Sequence, residues 1–344
     1  MPNLNRRDFL KVAGVSLAAP WFKPVPPEEY PTVSMPIGLG RVTEASIWAY
    51  ADPKPGATKE SPLKRDTVVE IYEAISTEGL MRHNPIWNLT RFGWAYSSWV
   101  QPVERKLNPI VRDVPEKGFW AQVSVPYVEM RSKPSDKASL LYRLYYSSVH
   151  LVIAQSEDEL GQVWYQLRDD QYLNAAQYVR AEGLRRITPQ EMTPLSPGVE
   201  DKRIEIDTGQ QMVYAYENDT MVFSTQCSTG ARFNVDGLGL VDFTTPHGKF
   251  TVIRKRPRRH MIGFQERSDG YDLPGVPFPT YFTPEGVAIH GAYWHNDFGR
   301  ARSHGCVNVR SEAAQWFYRW TRPVTAYDDA LVEVKDGGTP IVVT

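Results

Sequence analysis

The sequence predicts a mainly β chain built of several small modules, with one short helix near the C-terminus. Three observations carry this. Aromatic residues make up 12% of the 344 residues, with 10 Trp and 18 Tyr, and 27 Pro with 24 Gly supply turns; such a composition suits short strands rather than long helices. Alternating apolar runs recur at short spacing along the chain, among them SVHLVIAQ and TTPHGKFTVIRK. A helical period stands out in SEAAQWFYRW. There Ser311 suits an N-cap, Ala314, Phe317 and Tyr318 share a face, and Pro323 closes the element. Apolar content of 42% and charged content of 23% are those of an ordinary globular protein. The formal net charge of −1 gives no argument for nucleic acid or for an anionic membrane surface. The chain lacks the roughly 18 consecutive apolar residues of a transmembrane helix.

In chain order, MPNLNRRDFLKVAGVSLAAPWF comes first. Arg6-Arg7 followed by Phe9-Leu10-Lys11 resembles the twin-arginine export signal of bacteria, with Asn5 where Ser or Thr is usual. The apolar segment from Val12 to Ala19 is too short to span a membrane and fits a cleavable signal over residues 1–25; an amphipathic helix is the alternative. The Pro-rich KPVPPEEYPTVSMP opens an extended linker over residues 26–44.

Residues 45–115 and 117–188 then read as two related β modules. Each has a Trp, a Leu, a polar turn, an aromatic residue and a closing Val: Trp87, Leu89, Tyr96 and Val100 against Trp164, Leu167, Tyr172 and Val179. Short strands at this spacing predict small barrels, although DTVVEIYEAIS also suits an amphipathic helix. Tyr127–Ser135, YVEMRSKPS, resembles the first turn of bacterial SH3-like modules, which accompany cell-wall enzymes. TPQEMTPLSPGVEDKR supplies a linker over residues 189–201.

The C-terminal region, residues 202–335, holds the chemistry. VAIHGAYWHNDFGRARSHGCVNVRSE, residues 287–312, contains three of the seven histidines and one of the two cysteines. His290, His295 and His304 with Cys306 could in principle ligate zinc, but no Cys-x-x-Cys or His-x-x-x-His pair makes a compact site. A nucleophilic thiol needs a neighbouring base, since its ordinary pKa is about 8.5. His290 at the end of a strand could supply one. Gly305 allows a tight turn, and the amides of His304, Gly305 and Cys306 could converge on an oxyanion, each worth about 3 kcal/mol. Spacing alone leaves this reading and a buried structural cysteine equally open. Cys227, in the strand-like VFSTQCSTG, reads as a small buried residue, and both thiols are expected to be free.

IHGAYWHNDFGRARSHGCVN resembles the signature of the bacterial L,D-transpeptidase catalytic domain, in which His-Gly, a variable loop and Ser/Thr-His-Gly-Cys-x-Asn or Arg form the active site. STG at Ser228–Gly230, TPHGKF at Thr245–Phe250 and PTYFTPEGVAIHG at Pro279–Gly291 match that family in order. The resemblance implies a β-sandwich with a short helix after the catalytic cysteine. Cys306 would be the nucleophile and His290 its activator. His304 and Gly305 would help form the oxyanion pocket, and Ser303 and Asn308 would orient loop or substrate. Tyr281 would lie on a flap over the site, and Gly291 beside the substrate. Trp294, His295 and Arg302 fall in the variable loop, whose 12 residues between His290 and Ser303 are fewer than in many members. His83, His150, His247 and His260 lie outside the motif and receive no role. The family implies an exported enzyme of the periplasm or cell wall, acting without cofactor or metal on peptidoglycan stem peptides, with glycan strands the expected partner of the SH3-like modules. An L,D-carboxypeptidase and a catalytically degenerate wall-binding protein are the alternatives.

Overall fold

A computed structural model of the chain describes residues 35–344. The expected export signal lies outside the described residues, as do residues 26–34 of the expected linker. The end of that linker is instead structured. Strand Gly38–Val42 lies between Val68–Ile71 and Val100–Val103, antiparallel to both, and Val42 is fully buried.

This three-stranded sheet belongs with a five-stranded one of spatial order Lys59–Lys64, Ser46–Tyr50, Gly93–Tyr96, Asn84–Thr90, Glu73–Met81. Val42, Ile47, Ala49, Leu63, Val69, Ala95 and Val100 form their common core. DTVVEIYEAIS is strand, not helix. Val69 and Ile71 point inward and Glu70 outward, a period of two.

The second module is a seven-stranded antiparallel sheet. Its order is Leu140–Tyr145, Tyr127–Arg131, Gln177–Arg180, Val163–Arg168, Val149–Glu157, Phe119–Val123, Leu184–Arg186. Trp87 and Trp164 are both buried on hairpin strands, as the internal similarity suggests. The aromatic correspondence fails. Tyr96 is wholly buried beside Trp87, whereas Tyr172 is exposed on a loop.

The third region has two sheets over one core. In the first, Thr220–Gln226, Met212–Glu217, Lys202–Asp207, Pro340–Val343 and Gly248–Thr251 lie in that order. Strand Pro340–Val343 sits inside this sheet, beyond the expected end at residue 335, with Ile341 and Val343 buried. In the second, Val307–Val309, Ala288–Gly291, Thr280–Tyr281, Arg254–Lys255 and Val332–Glu333 are neighbours. Ala288–Gly291 and Val307–Val309 run parallel. Parallel neighbours need a crossover, and the segment 292–306 provides it.

The one α-helix among the described residues, Ser311–Trp320, buries Ala313, Ala314, Phe317, Tyr318 and Trp320. Arg310 occupies the N-cap, so Ser311 is the first helical residue; its hydroxyl lies 2.8 Å from Ser147 Oγ of the second module. Thr321 caps the C-terminal end. The expected linker at 189–201 is docked: Met192 is buried in the catalytic core, and Leu195 N donates to Arg319 O at 3.0 Å. No helix among the described residues is long and apolar enough to cross a membrane.

Candidate active site

The parallel register sets the site. Ile289 pairs with Val307, His290 with Asn308 and Gly291 with Val309. Side chains alternate along a strand, so Ile289, Val307 and Val309 enter the core. His290, Asn308 and Cys306 therefore share the opposite face. All three line one cavity of about 690 Å³.

Motifs distant in sequence hold the cysteine turn. Ser228 exchanges two backbone hydrogen bonds with Asn308, and the amides of Arg302 and Ser303 both donate to Thr229 O. Thr245 Oγ1 accepts from Gly230 N and donates to Gly305 O, each at 2.8 Å. Thus STG and the Thr of TPHGKF build the frame around Cys306. Gly305 has φ of +112°, a conformation that disfavours any side chain. Gly230 has no space for one, since a Cβ would lie 1.9 Å from Phe243 O.

Ser303 Oγ donates to Cys306 O and accepts from Gly305 N at 3.2 Å. The Gly305 amide is therefore committed, a correction to the expected convergence of three amides. The amides of His304 and Cys306 have no acceptor among the described residues and remain able to meet an oxyanion. The His304 ring stacks on Phe233 with centroids 4.6 Å apart, and its Nε2 lies 3.0 Å from Asp269 Oδ2. The imidazole thus anchors the turn rather than bonding the thiol.

His290 is 2% exposed, and its Nδ1–H donates to Gly291 O at 3.0 Å. That bond leaves Nε2 unprotonated, the tautomer a general base requires. Burial lowers the imidazole to about 4. Burial pushes the Cys306 thiol up to about 11, only partly opposed by the Ala288 amide. Both groups are therefore neutral at rest, and the Cys306 thiol lies 3.7 Å from Gly286 O.

Gly291 is buried against Pro277 and Ser311, where a Cβ would lie 2.6 Å from Pro277 Cγ. It offers His290 a carbonyl and lies away from the cavity. Tyr281 lies within the sheet, where burial and the neighbouring Cys306 both raise its phenol. It is 6% exposed on strand Thr280–Tyr281, opposite Ala288, with the Arg254 guanidinium 4.2 Å from its ring centroid. The hairpin Arg258–Gly263/Tyr271–Pro277 supplies Tyr271 and Asp272 to the cavity wall.

Asn308 and His295 fix each other. His295 Nδ1 accepts from Asp297 N at 3.2 Å, so its Nε2 carries the proton. That nitrogen lies 3.0 Å from the Asn308 amide. Asn308 Nδ2 is the atom placed there and its Oδ1 is buried without a partner, so exchanging the two amide atoms lets the oxygen accept from His295 Nε2–H.

Partners far away along the chain, unmarked by any local motif, complete the site. Asp297 is fully buried and takes His83 Nε2 at 2.7 Å, Arg300 at 2.6 Å and Arg302 at 3.2 Å. Burial disfavours its charge, yet Arg300, His83 and Arg302 hold the carboxyl below its usual range. Arg302 also reaches Glu44 at 3.4 Å. Arg41 is buried and donates to Gln101 Oε1, to Asp66 Oδ1 and to Tyr293 O, the last at 2.8 Å. Both N-terminal modules thus reach the cavity, and the first grips the loop behind His290. Trp294 on that loop packs on His290, with centroids 5.8 Å apart. His260 bridges Asp169 at 2.9 Å and Asp272 at 2.5 Å, tying the second module to the hairpin wall. His150 lies under Gly275 and bonds Ser148 Oγ at 2.9 Å. His247 lies 3.1 Å from Thr208 Oγ1 at the surface.

Both cysteines are free, and Cys227 is wholly buried, its thiol pushed up to about 12 by burial. Among the described residues no group of three or more His, Cys, Asp or Glu side chains is arranged to hold a metal ion.

A thiol, an oriented imidazole and two open amides at a cavity mouth have the parts of a covalent acyl-transfer centre. Residues 201–343 match the family model YkuD, the L,D-transpeptidase catalytic domain. The probable L,D-transpeptidase 3 of Mycobacterium tuberculosis is 31% identical over 99 residues, 25% of this chain. The match spans only 36% of that relative's length. Among solved structures, the L,D-transpeptidase from Mycobacterium smegmatis is 16% identical, with 53% of this chain and 90% of that one covered at a TM-score of 0.33. The catalytic domain of the E. faecium L,D-transpeptidase is 23% identical, with 42% of this chain and 98% of that one covered at a TM-score of 0.31.

Proposed function

We propose that the chain is an exported L,D-transpeptidase acting on peptidoglycan stem peptides through a thioester on Cys306. The observation that carries this is the shared face of Cys306, His290 and Asn308, with His290 Nδ1 tied to Gly291 O. The Cys306 sulfur attacks the carbonyl joining the third residue of a stem tetrapeptide to its terminal D-Ala, while His290 Nε2 takes the thiol proton. The His304 and Cys306 amides receive the oxyanion. Collapse breaks the C–N bond, and His290 returns the proton to the departing amine of D-Ala. An amine on a second stem then attacks the thioester, His290 takes its proton, and the sulfur leaves and is reprotonated. The product is a 3→3 cross-link. Because the two groups are neutral at rest, proton transfer accompanies sulfur attack and is not paid in advance as an ion pair.

Export by the twin-arginine route belongs to the same proposal, as does contact of the SH3-like modules with glycan strands. The test is incubation of the full chain with a disaccharide-tetrapeptide. Release of D-Ala with a cross-linked dimer supports a transpeptidase. Tripeptide monomer alone makes it an L,D-carboxypeptidase with water as acceptor. Wall binding without D-Ala release or acyl-enzyme leaves a binding protein.

A further inference from the structure

The cavity in front of Cys306 is walled by both N-terminal modules as well as by the catalytic domain. Nearly every charge on its wall is already matched. Arg41 is bonded to Asp66, Arg143 to Asp66 at 2.9 Å, and Arg302 to Asp297 and Glu44. Asp269 is held by Arg267 and His304, and Asp272 by His260 and Tyr142. The exception is Arg65 of the first module. It is exposed, lines the cavity, and its guanidinium has no ion-pair or hydrogen-bond partner among the described residues.

Its backbone is nevertheless firmly placed. Arg65 N donates to Ala45 O at 3.1 Å. The next residue, Asp66, holds a left-handed φ of +67° and accepts from Arg41, Arg143 and the Tyr145 hydroxyl. Aspartate adopts this conformation readily, and the three bonds to its carboxylate fix the turn in place. The turn therefore carries an unmatched cation on a rigid base into the cavity that holds the nucleophile.

We propose that Arg65 is a specificity-determining residue that takes a carboxylate of the acidic peptide bound in front of Cys306. The inference rests on the transpeptidase reading and names a contact that a module outside the catalytic domain would supply. A guanidinium binds a carboxylate by charge-assisted, often bidentate hydrogen bonds. Lysine keeps the charge but loses the fork.

Binding is measured calorimetrically in the full chain carrying Cys306→Ala, which separates it from turnover. The probes are a stem tetrapeptide and analogues in which each carboxylate except that of the terminal D-Ala is singly converted to carboxamide. One amidation is expected to weaken binding about tenfold with Arg65 present and less than twofold with Arg65→Ala, with Arg65→Lys between. Equal penalties with and without Arg65, no penalty at any carboxylate, or no measurable binding would overturn the proposal. Turnover of the unmodified tetrapeptide by the native chain, measured in parallel, judges the transpeptidase reading separately.

Discussion

Arg41→Met tests whether the first module holds the loop behind His290. The substitution keeps an apolar stem and removes a guanidinium that donates to Gln101 Oε1 at 2.8 and 3.2 Å, to Asp66 Oδ1 at 3.0 Å and to Tyr293 O at 2.8 Å. It also removes the cation 4.1 Å from the Tyr145 ring centroid. Breaking a buried pair costs about 3–5 kcal/mol when the remaining charge is stranded. Asp66 is not stranded, because Arg143 and the Tyr145 hydroxyl still donate to it. The Tyr293 carbonyl and Gln101 Oε1 do lose their donors, and each orphaned buried acceptor costs about 1–3 kcal/mol. The sum falls near 3 kcal/mol, or roughly a hundredfold in the opening equilibrium of the loop. The amides of Gly299 and Arg302 report on that opening, since they donate to Cys227 O and Thr229 O. Native-state hydrogen exchange at these two amides is expected to accelerate about a hundredfold, with acylation of Cys306 by a carbapenem slowed. Unchanged exchange at both amides would refute the reasoning, because the loop would then be held without Arg41.

Acid is expected to silence the site before it unfolds the protein. His290 must be neutral to act as base, so acylation should fall as pH drops through about 4, followed by intact-protein mass. Burial depresses His290 to about 4 and His150 to about 3, so the unfolded chain takes up those protons first. Their stabilising contribution is complete above pH 6.5 and is lost as pH falls toward the folded values; His290 alone accounts for about 3 kcal/mol. For His260 burial opposes protonation, but Asp169 and Asp272 raise it. Its contribution is complete below pH 6.5 and is lost as pH rises through its folded value, so denaturant midpoints across pH should peak between the two. Gly305→Ala, at φ of +112°, should cost about 1–2 kcal/mol and at least tenfold in acylation rate. Cys227→Ala should leave acylation near native while lowering the denaturation midpoint, which would separate the two thiols. Asp297→Ala, leaving His83, Arg300 and Arg302 without their common acceptor, should destabilise by about 3 kcal/mol, read in urea.

The β character, the position of the helix and the face carrying Cys306 and His290 were legible because they depend on local pattern: alternation, a helical period, and a Gly before the thiol. STG and TPHGKF were matched to the family in order, but nothing local in them says that they frame the cysteine. What escaped was set by distance along the chain. Arg41 meets Tyr293 and His83 meets Asp297 across more than 200 residues, and nothing local in either segment marks the pairing. Gly291 was placed beside the substrate for a related reason. A position beside a catalytic residue in sequence is next to it in a strand, where alternate side chains face opposite ways. Residues 38–44 looked like linker because Pro-rich sequence precedes them, yet Arg41 and Val42 bury their side chains only once the rest of the first module arrives.

Trp120 and Val149 of the second module lie in the same apolar core as Ile204, Ile289 and Phe317, and Trp120 Nε1 donates to Tyr327 O at 2.9 Å. The seam between the second module and the C-terminal region is therefore an interior rather than a contact between finished surfaces. Cutting the chain at residue 201 would expose greasy side chains meant to be covered, and the truncated product should cling to itself. Lineages that trade such modules as interchangeable parts would have to rebuild this seam each time, which favours inheriting the pair as one block.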